Sequence, residues 1–515
     1  VAVVASVSGL NVAQQALAAD LDASQSQLLW IINGYTLALA ALLMPVGAIG
    51  DRWGRKPVLM IGLVAFSLLN LASAFATEPN VLIALRVLAG ASAAMIMPVT
   101  LSVITTSFPR EDQAKAIGTW AGFAGAGGII GLFASAAIID NATWPWVFAL
   151  PIALAAVSFV LTTAFVPHSV EHTEAGFDIA GSLLSALAVG GLVLAFHEGP
   201  ERGWTDPLTI AALAAGLLGS VAFVLVELRR EHPLVDVRVF AVRGLAAGSV
   251  NLFVVFAVMF SLFLVLVQYL QAVLGYSALK AASGLLPMAL IMMPLSTIAP
   301  TIAERIGFRR TLVTGMLLLA GGLVLFATLA DPDGGYLSVL PGILVLGTGV
   351  GLAMSPSTAA ITSSLPEEKQ GVASALNDTV REMGGAVGIA LIGSVLNSAY
   401  RTNIEPTVAS LPPEVAEPVT SGIGGALAVA GKMGTGGAAL VDASRQAFVD
   451  GMAPALYLGA GLALAAAVFT ALRGPKTAAE AEPRLHAGDQ TAPRPDVPDL
   501  SVNHTARSDS NHPNV

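Results

Sequence analysis

Apolar stretches of about twenty residues recur along this chain, each ended by charge, proline or a cluster of glycines, and this recurrence restricts the fold more than any single motif. In hydrocarbon every backbone N–H and C=O must be satisfied within the segment, so runs of this length read as α-helices that cross a bilayer. Fourteen runs qualify: 1–17, 28–50, 57–76, 80–108, 116–139, 146–166, 179–196, 207–228, 245–274, 278–303, 311–330, 336–365, 374–400 and 448–472. The 515 residues are 55% hydrophobic and only 11% charged, far from the balance of a soluble domain. The expectation is an all-α polytopic membrane protein with 14 transmembrane helices. Its apolar start at Val1 reads as a span, not a cleaved signal.

Charge bias tests this count independently, because one missed helix would exchange inner and outer loops downstream. With an even count and both termini in the cytoplasm, 18 of the 25 Lys and Arg fall on the cytoplasmic side. Five lie outside, and Arg86 and Arg381 lie within helices. The expected location is the inner (cytoplasmic) membrane.

The chain also repeats itself. Glu304-Arg305-Ile306-Gly307 echoes Asp51-Arg52-Trp53-Gly54 at an offset of 253, and Leu365-Pro366-Glu367-Glu368-Lys369-Gln370 echoes Phe108-Pro109-Arg110-Glu111-Asp112-Gln113 at an offset of 257. Two matches at nearly one offset imply two six-helix halves of like orientation. The expected organisation is an N-terminal half over 1–166, two inserted helices with their loops over 167–243, and a C-terminal half over 244–473 that includes a long outer loop at 401–447. A polar, proline-rich tail over 474–515 is expected to be disordered and cytoplasmic.

Without cysteine the chain has no disulfide or thiolate chemistry. His168-Ser169-Val170-Glu171-His172 matches the H-x-x-E-H spacing of some zinc peptidases. It follows Pro167 in a short polar connection with no third ligand, so neither a metal site nor an enzyme is expected. The net charge of −9 is spread over tail and outer loops, and nothing suggests nucleic-acid binding.

Ionisable side chains within a bilayer are costly and need a partner, a water-filled cavity or a function. Arg86 stands in the fourth run; it either tunes a neighbouring carboxylate's proton or is a structural Arg bonded to backbone carbonyls. Asp378, Arg381 and Glu382 in the thirteenth run are spaced i, i+3, i+4 and share one face. Two acids around one Arg cannot both be neutralised, which makes this group, and Glu382 near the bilayer middle, the main proton-carrier candidate. The alternative is an internally paired structural cluster.

Between the second and third runs lies Gly47-Ala48-Ile49-Gly50-Asp51-Arg52-Trp53-Gly54-Arg55-Lys56, read as a tight inner loop whose glycines permit a turn and a close helix approach. Its G-x-x-x-D-R-x-G-R-K pattern closely resembles the loop between helices 2 and 3 of major facilitator transporters. Leu85-Arg86-Val87-Leu88-Ala89-Gly90 resembles their helix 4 motif, with Ala89 where Gln is frequent. The fifth run, with Gly127, Gly131 and Ser135, is similar to the antiporter motif of drug/proton exporters, although Leu132 replaces its proline. Trp30 to Leu37, which includes Asn33, and Gln268-Tyr269-Leu270-Gln271 resemble the 14-helix branch, whereas Ser6 stands where that branch has a membrane Asp.

The chain is thus similar to 14-helix drug/proton antiporters of the major facilitator superfamily. The resemblance implies a monomer that works by alternating access, uses the proton gradient without a cofactor, and exports a small hydrophobic or cationic compound. It associates Arg86 with proton coupling, alongside the candidates Glu382, Asp378 and Arg381 that their own placement suggests, and it implies an inner latch at Asp51, whose less complete copy at Glu304 and Arg305 is expected to be the weaker gate. Asn33, Gln268 and Gln271 are candidates for the substrate cavity. The alternatives are an exporter of one endogenous product (an antibiotic, lipid or siderophore) and a non-transporting membrane sensor.

Overall fold

A computed structural model of the chain describes residues 1–166, 177–409 and 411–476. His168, Glu171 and His172, and nearly all of the tail expected over 474–515, lie outside the described residues.

The long helices are α1 (Ala2–Leu21), α2 (Gln25–Trp53), α3 (Arg55–Ala74), α4 (Pro79–Ser107), α5 (Arg110–Ile139), α6 (Trp144–Phe165), α7 (Ile179–Arg202), α8 (Pro207–Glu227), α9 (Arg243–Val273), α10 (Ala278–Ile306), α11 (Phe308–Leu329), α12 (Gly335–Thr362), α13 (Gln370–Val408) and α14 (Ala438–Arg473). All but α1 are long and apolar enough to cross a membrane by length and composition. With the 20-residue α1 they give the expected fourteen.

Several helices are interrupted for a local reason. α4 divides between Ala94 and Met97, and α10 between Ser283 and Leu286. In each case the first piece ends four residues before a proline, Pro98 or Pro287, whose ring clashes with the i−4 carbonyl and which lacks an N–H. α2 begins with a capping box: Gln27 N–H donates to Ser24 Oγ at 3.3 Å, and Ser24 N–H donates to Gln27 Oε1 at 3.0 Å.

One sequence expectation is corrected. The stretch from Gly47 to Lys56 is not a loop: α2 runs through Trp53 and α3 starts at Arg55, so the connection is Gly54 alone, at φ 96°. Only glycine takes that backbone readily, and one residue therefore suffices to reverse the chain. The region 401–447 is largely helical. α13 continues to Val408, short helices span Pro413–Ser421 and Ile423–Lys432, and α14 begins at Ala438. Val419, Ile423 and Ala426 are buried there, and the Tyr400 hydroxyl donates to the Val419 carbonyl at 3.1 Å. The apolar residues scattered among the glycines build a small helical cap.

The repeat is visible bond by bond. Gly307 has φ 99° and ψ 140°, against 96° and 136° at Gly54. Two residues beyond each glycine a cation holds the end of its half's last helix: Lys56 Nζ donates to the Val166 carbonyl at 2.7 Å, and Arg309 Nε to the Gly474 carbonyl at 2.8 Å. Cations are favoured at such helix C-termini, where carbonyls lack partners. Gln113 Nε2 donates to the carbonyls of Thr105 and Phe108 at 2.7 and 3.1 Å; Gln370 Nε2 donates to those of Thr362 and Leu365, both at 3.0 Å.

Close crossings join helices of the two halves. A Cβ at Gly47 would lie 2.6 Å from the Gly371 carbonyl oxygen, so α2 and α13 meet backbone to backbone. At Gly118 and Gly122 α5 meets α10 in the same way, facing the carbonyls of Ser296 and Met293. Small residues allow this packing, which in a bilayer replaces the hydrophobic drive between helices. The inserted pair packs through Gly191 and Gly216, and α7 leans on both α2 and α13, with Ala40, Val193 and Ala386 in one apolar cluster.

Candidate functional site

The residues expected to form the inner gate meet at the α2–α13 crossing. One turn beyond Gly47, Asp51 is buried and accepts hydrogen bonds from the backbone N–H of Gly371 (2.7 Å) and Val372 (3.0 Å). These are first-turn amides of α13, which no carbonyl within the helix can satisfy, and they form the positive end of its dipole. Arg55 holds the same carboxylate from behind, its Nη2 3.2 Å from Asp51 Oδ1. Lys369 Nζ donates to the Pro233 carbonyl at 2.8 Å, tying the start of α13 to the link between α8 and α9. Asp51, Asp178, His232 and Lys369 line a small cavity of about 120 Å³ beside the latch. Gly50 and Gly54 are buried, and Arg52 is exposed.

The second copy is not latched. Glu304 and Arg305 are exposed, and Glu304 makes no hydrogen bond or ion pair among the described residues. The hinge geometry is repeated, but the acid bridges to the other half in only one copy.

Deeper in α13, Arg381 Nη1 is 2.9 Å from Asp378 Oδ1, and both side chains are buried. The guanidinium lies 4.5 Å from the Phe256 ring centroid and 5.3 Å from that of Trp120, so it sits at the seam between α9 and α5. Glu382, the third member expected on this face, is half-buried and makes no hydrogen bond or ion pair among the described residues. α13 begins at Gln370, so Glu382 is roughly 18 Å along the axis from its start, well within the hydrocarbon depth.

The stripe leading to this pair was not singled out from sequence. Gln370, Ser374, Asn377 and Asp378 lie on one face of α13, all buried. Gln370 Oε1, Ser374 Oγ, Asn377 Oδ1, Asp378 Oδ2 and Arg381 Nε have no hydrogen-bond partner among the described residues. The i, i+4 polar spacing from 370 to 378 was the available signal, but burial decides its meaning.

Arg86 is fully buried in the first half and forms no ion pair among the described residues. Its Nη1 donates to Ser6 Oγ at 2.9 Å, its Nη2 to the Ser6 carbonyl at 3.4 Å and its Nε to the Ile31 carbonyl at 3.3 Å; its carbon Cζ lies 4.1 Å from the Tyr35 ring centroid. Ser6 Oγ in turn donates to Asn70 Oδ1 at 3.0 Å. The serine standing in for a membrane acid is therefore the residue that faces the buried Arg.

On α5, Gly131 faces Ala5, Gly127 faces Val1 and Ser135 faces Gly9, so this motif packs α5 against α1. Asn33 and Gln268 are half-buried, Gln271 is exposed, and none of the three lines the two cavities described here.

An all-helical chain of two repeated halves, with many helices apolar enough to cross a membrane and a carboxylate bridging the halves, has the architecture of a membrane transporter. The chain belongs to the Major Facilitator Superfamily, whose sequence model matches residues 1–389. It is 32% identical over 453 residues to the multidrug efflux pump LfrA of Mycolicibacterium smegmatis, covering 88% of this chain and 89% of that one. It is 31% identical over 471 residues to the methyl viologen resistance protein SmvA of Salmonella typhimurium (89% and 93%), and 32% identical over 476 residues to the tetracenomycin C resistance and export protein of Streptomyces glaucescens (88% and 86%). Among solved structures, a bacterial homolog of the human lysosomal transporter Spinster, inward-facing and unoccupied, shares the fold with a TM-score of 0.57 at 15% identity, covering 92% of this chain and 95% of that one.

Proposed function

We propose that the protein exports small hydrophobic or cationic compounds, drugs among them, in exchange for protons. The observation that carries export is the full-length similarity to relatives named for efflux of and resistance to chemically unlike compounds. Residues 1–166 and 244–473 act as the two halves that rock about a central site, with α7 and α8 inserted between them. The membrane is the cytoplasmic one, with both termini inside, and the working unit is a monomer that needs no cofactor.

In this reading Asp51 holds the inner side shut while the outer side is accessible. Glu382 takes up the proton, since it is the carboxylate of the α13 group whose charge no bonded cation answers. The Asp378–Arg381 pair and the buried polar stripe below it lead that proton toward the start of α13, where Asp51 seals the way until the gate opens. Arg86, held by neutral oxygens, orients α1, α2 and α4 around Tyr35. Asn33 and Gln268 offer polar contacts to the exported compound.

The test is transport by the purified full chain in proteoliposomes with an imposed pH gradient and a panel of unrelated compounds. Gradient-dependent movement of several supports the reading; movement that ignores the gradient overturns proton exchange. Relatives named for one natural product, such as the Streptomyces tetracenomycin C exporter, favour a second reading: a dedicated exporter of one endogenous compound. Under that reading only one structural class in the panel moves.

A further inference from the structure

A cavity of about 580 Å³ opens between the inserted helices and the core, far larger than the space beside the latch. Its walls are apolar: Val189 of α7, Phe223 of α8 and Val235 of the following link on one side, Met44 of α2 and Leu376 of α13 on the other. The volume falls in the range of roughly 300–1,000 Å³ typical of ligand sites. A void of this size forfeits dispersion contacts if empty, and an apolar lining gives water too few partners to order it. Its outer wall is α8, whose Leu218, Val221 and Leu225 are exposed, so the neighbouring medium is hydrocarbon.

One end of the cavity is charged. Arg238 lines it and is exposed, and its guanidinium makes one hydrogen bond among the described residues, from Nη2 to the Leu228 carbonyl at 3.4 Å. The link carries Arg229, Arg230 and Arg238 against Glu231 and Asp236, and Arg243 opens α9 just beyond it. Of these, Arg230 is already engaged, 3.6 Å from Asp178. The link also holds Pro233, which receives Lys369, so this end lies on the latch side of the protein.

We propose that this cavity is a binding site for an anionic phospholipid. One acyl chain fills the space between the inserted hairpin and α2 and α13, and the phosphate rests on Arg238. Charge complementarity selects this occupant, because basic pockets between membrane helices capture acidic headgroups and an apolar sleeve captures the chain. The site also reaches Thr379, next to Asp378, and Thr379 Oγ1 is buried without a hydrogen-bond partner. Bound lipid therefore wedges the inserted pair against the helix that carries the Asp378–Arg381 pair.

The test is lipid retention by the purified full chain, read by native mass spectrometry after titration with phosphatidylglycerol or phosphatidylethanolamine. Phosphatidylglycerol should be retained about five- to tenfold better. Arg238→Ala, at an exposed position that leaves the fold intact, should bring the two lipids to parity, while Arg243→Ala, outside the cavity, should not. Ser220→Phe fills the cavity and should lower retention of both lipids, with size-exclusion chromatography checking that this variant folds. Equal retention of the two lipids by the parent protein, equal losses from Arg238→Ala and Arg243→Ala, or displacement of the lipid by an exported compound would each overturn the assignment.

Discussion

Asp51 Oδ1 lies 2.7 Å from the Gly371 amide nitrogen, so a carboxylate of α2 caps α13, a helix of the other half, 320 residues away. A hydrogen bond to a charged group contributes about 1.5–3 kcal/mol, and each 1.4 kcal/mol is about tenfold in an equilibrium. Asp51→Asn should therefore shift the gate toward open by roughly ten- to hundredfold, while Glu304→Gln changes little because Glu304 has no such bond. The chain has no cysteine, so a single cysteine introduced beneath the latch and labelled by a membrane-impermeant maleimide reports the gate directly. Equal labelling in both variants would remove the asymmetry between the copies.

The crossing beneath the latch makes a second, purely steric prediction. A methyl group at position 47 would sit 2.6 Å from both Ala375 Cβ and the Gly371 carbonyl oxygen, and α2 and α13 cannot close around it. Gly47→Ala should cost about 1–3 kcal/mol of the closed state through overpacking. It should raise inner-side labelling much as Asp51→Asn does. Gly321→Ala in α11, where an added Cβ meets nothing within 4 Å, should leave labelling unchanged.

The α13 acids should separate by phenotype. Asp378 is bonded to Arg381, and breaking a buried pair by removing one partner costs about 3–5 kcal/mol. Asp378→Asn should therefore lower both the Tm and the amount of folded protein. Glu382 has no bond to lose, so Glu382→Gln should keep a normal Tm and normal levels while abolishing proton-driven efflux. Full efflux by Glu382→Gln would take that residue out of the mechanism.

Ser6 supports Arg86 and Asn70 together. Ser6→Ala leaves a buried cation short of a partner and should cost about 1–3 kcal/mol, seen as a lower Tm in detergent. Ser6→Asp places a carboxylate beside the guanidinium and should be no less stable than the parent protein. A Tm loss from Ser6→Asp as large as that from Ser6→Ala would show that position 6 has no room for the acid.

The sequence by itself determined the helices, their number and the doubling of the chain, because these depend on local quantities. Apolar length sets a span, and the recurring acid-Arg-x-Gly pattern marks the doubling; the one-residue turns at Gly54 and Gly307 and the breaks before Pro98 and Pro287 emerged only in the fold. The recurrence of Gln113 at Gln370 was legible as part of a six-residue echo, although the hydrogen bonds the two make were not. The polar character of α13 was equally plain, since an acid amid leucines and glycines is conspicuous in a bilayer.

Only the tertiary structure decided which groups meet. Spacing placed Asp378, Arg381 and Glu382 on one face with equal claims, and packing against Phe256 and Trp120 joined the first two and left the third without a bond. The same holds for Asp51, whose partner is the backbone of Gly371 and has no side-chain signature to find. Ser6 and Arg86, 80 positions apart, became one site for the same reason. Hydropathy records whether a residue enters the membrane; which helix it faces there is fixed by close crossings at glycine, and these depend on both chains of contact at once.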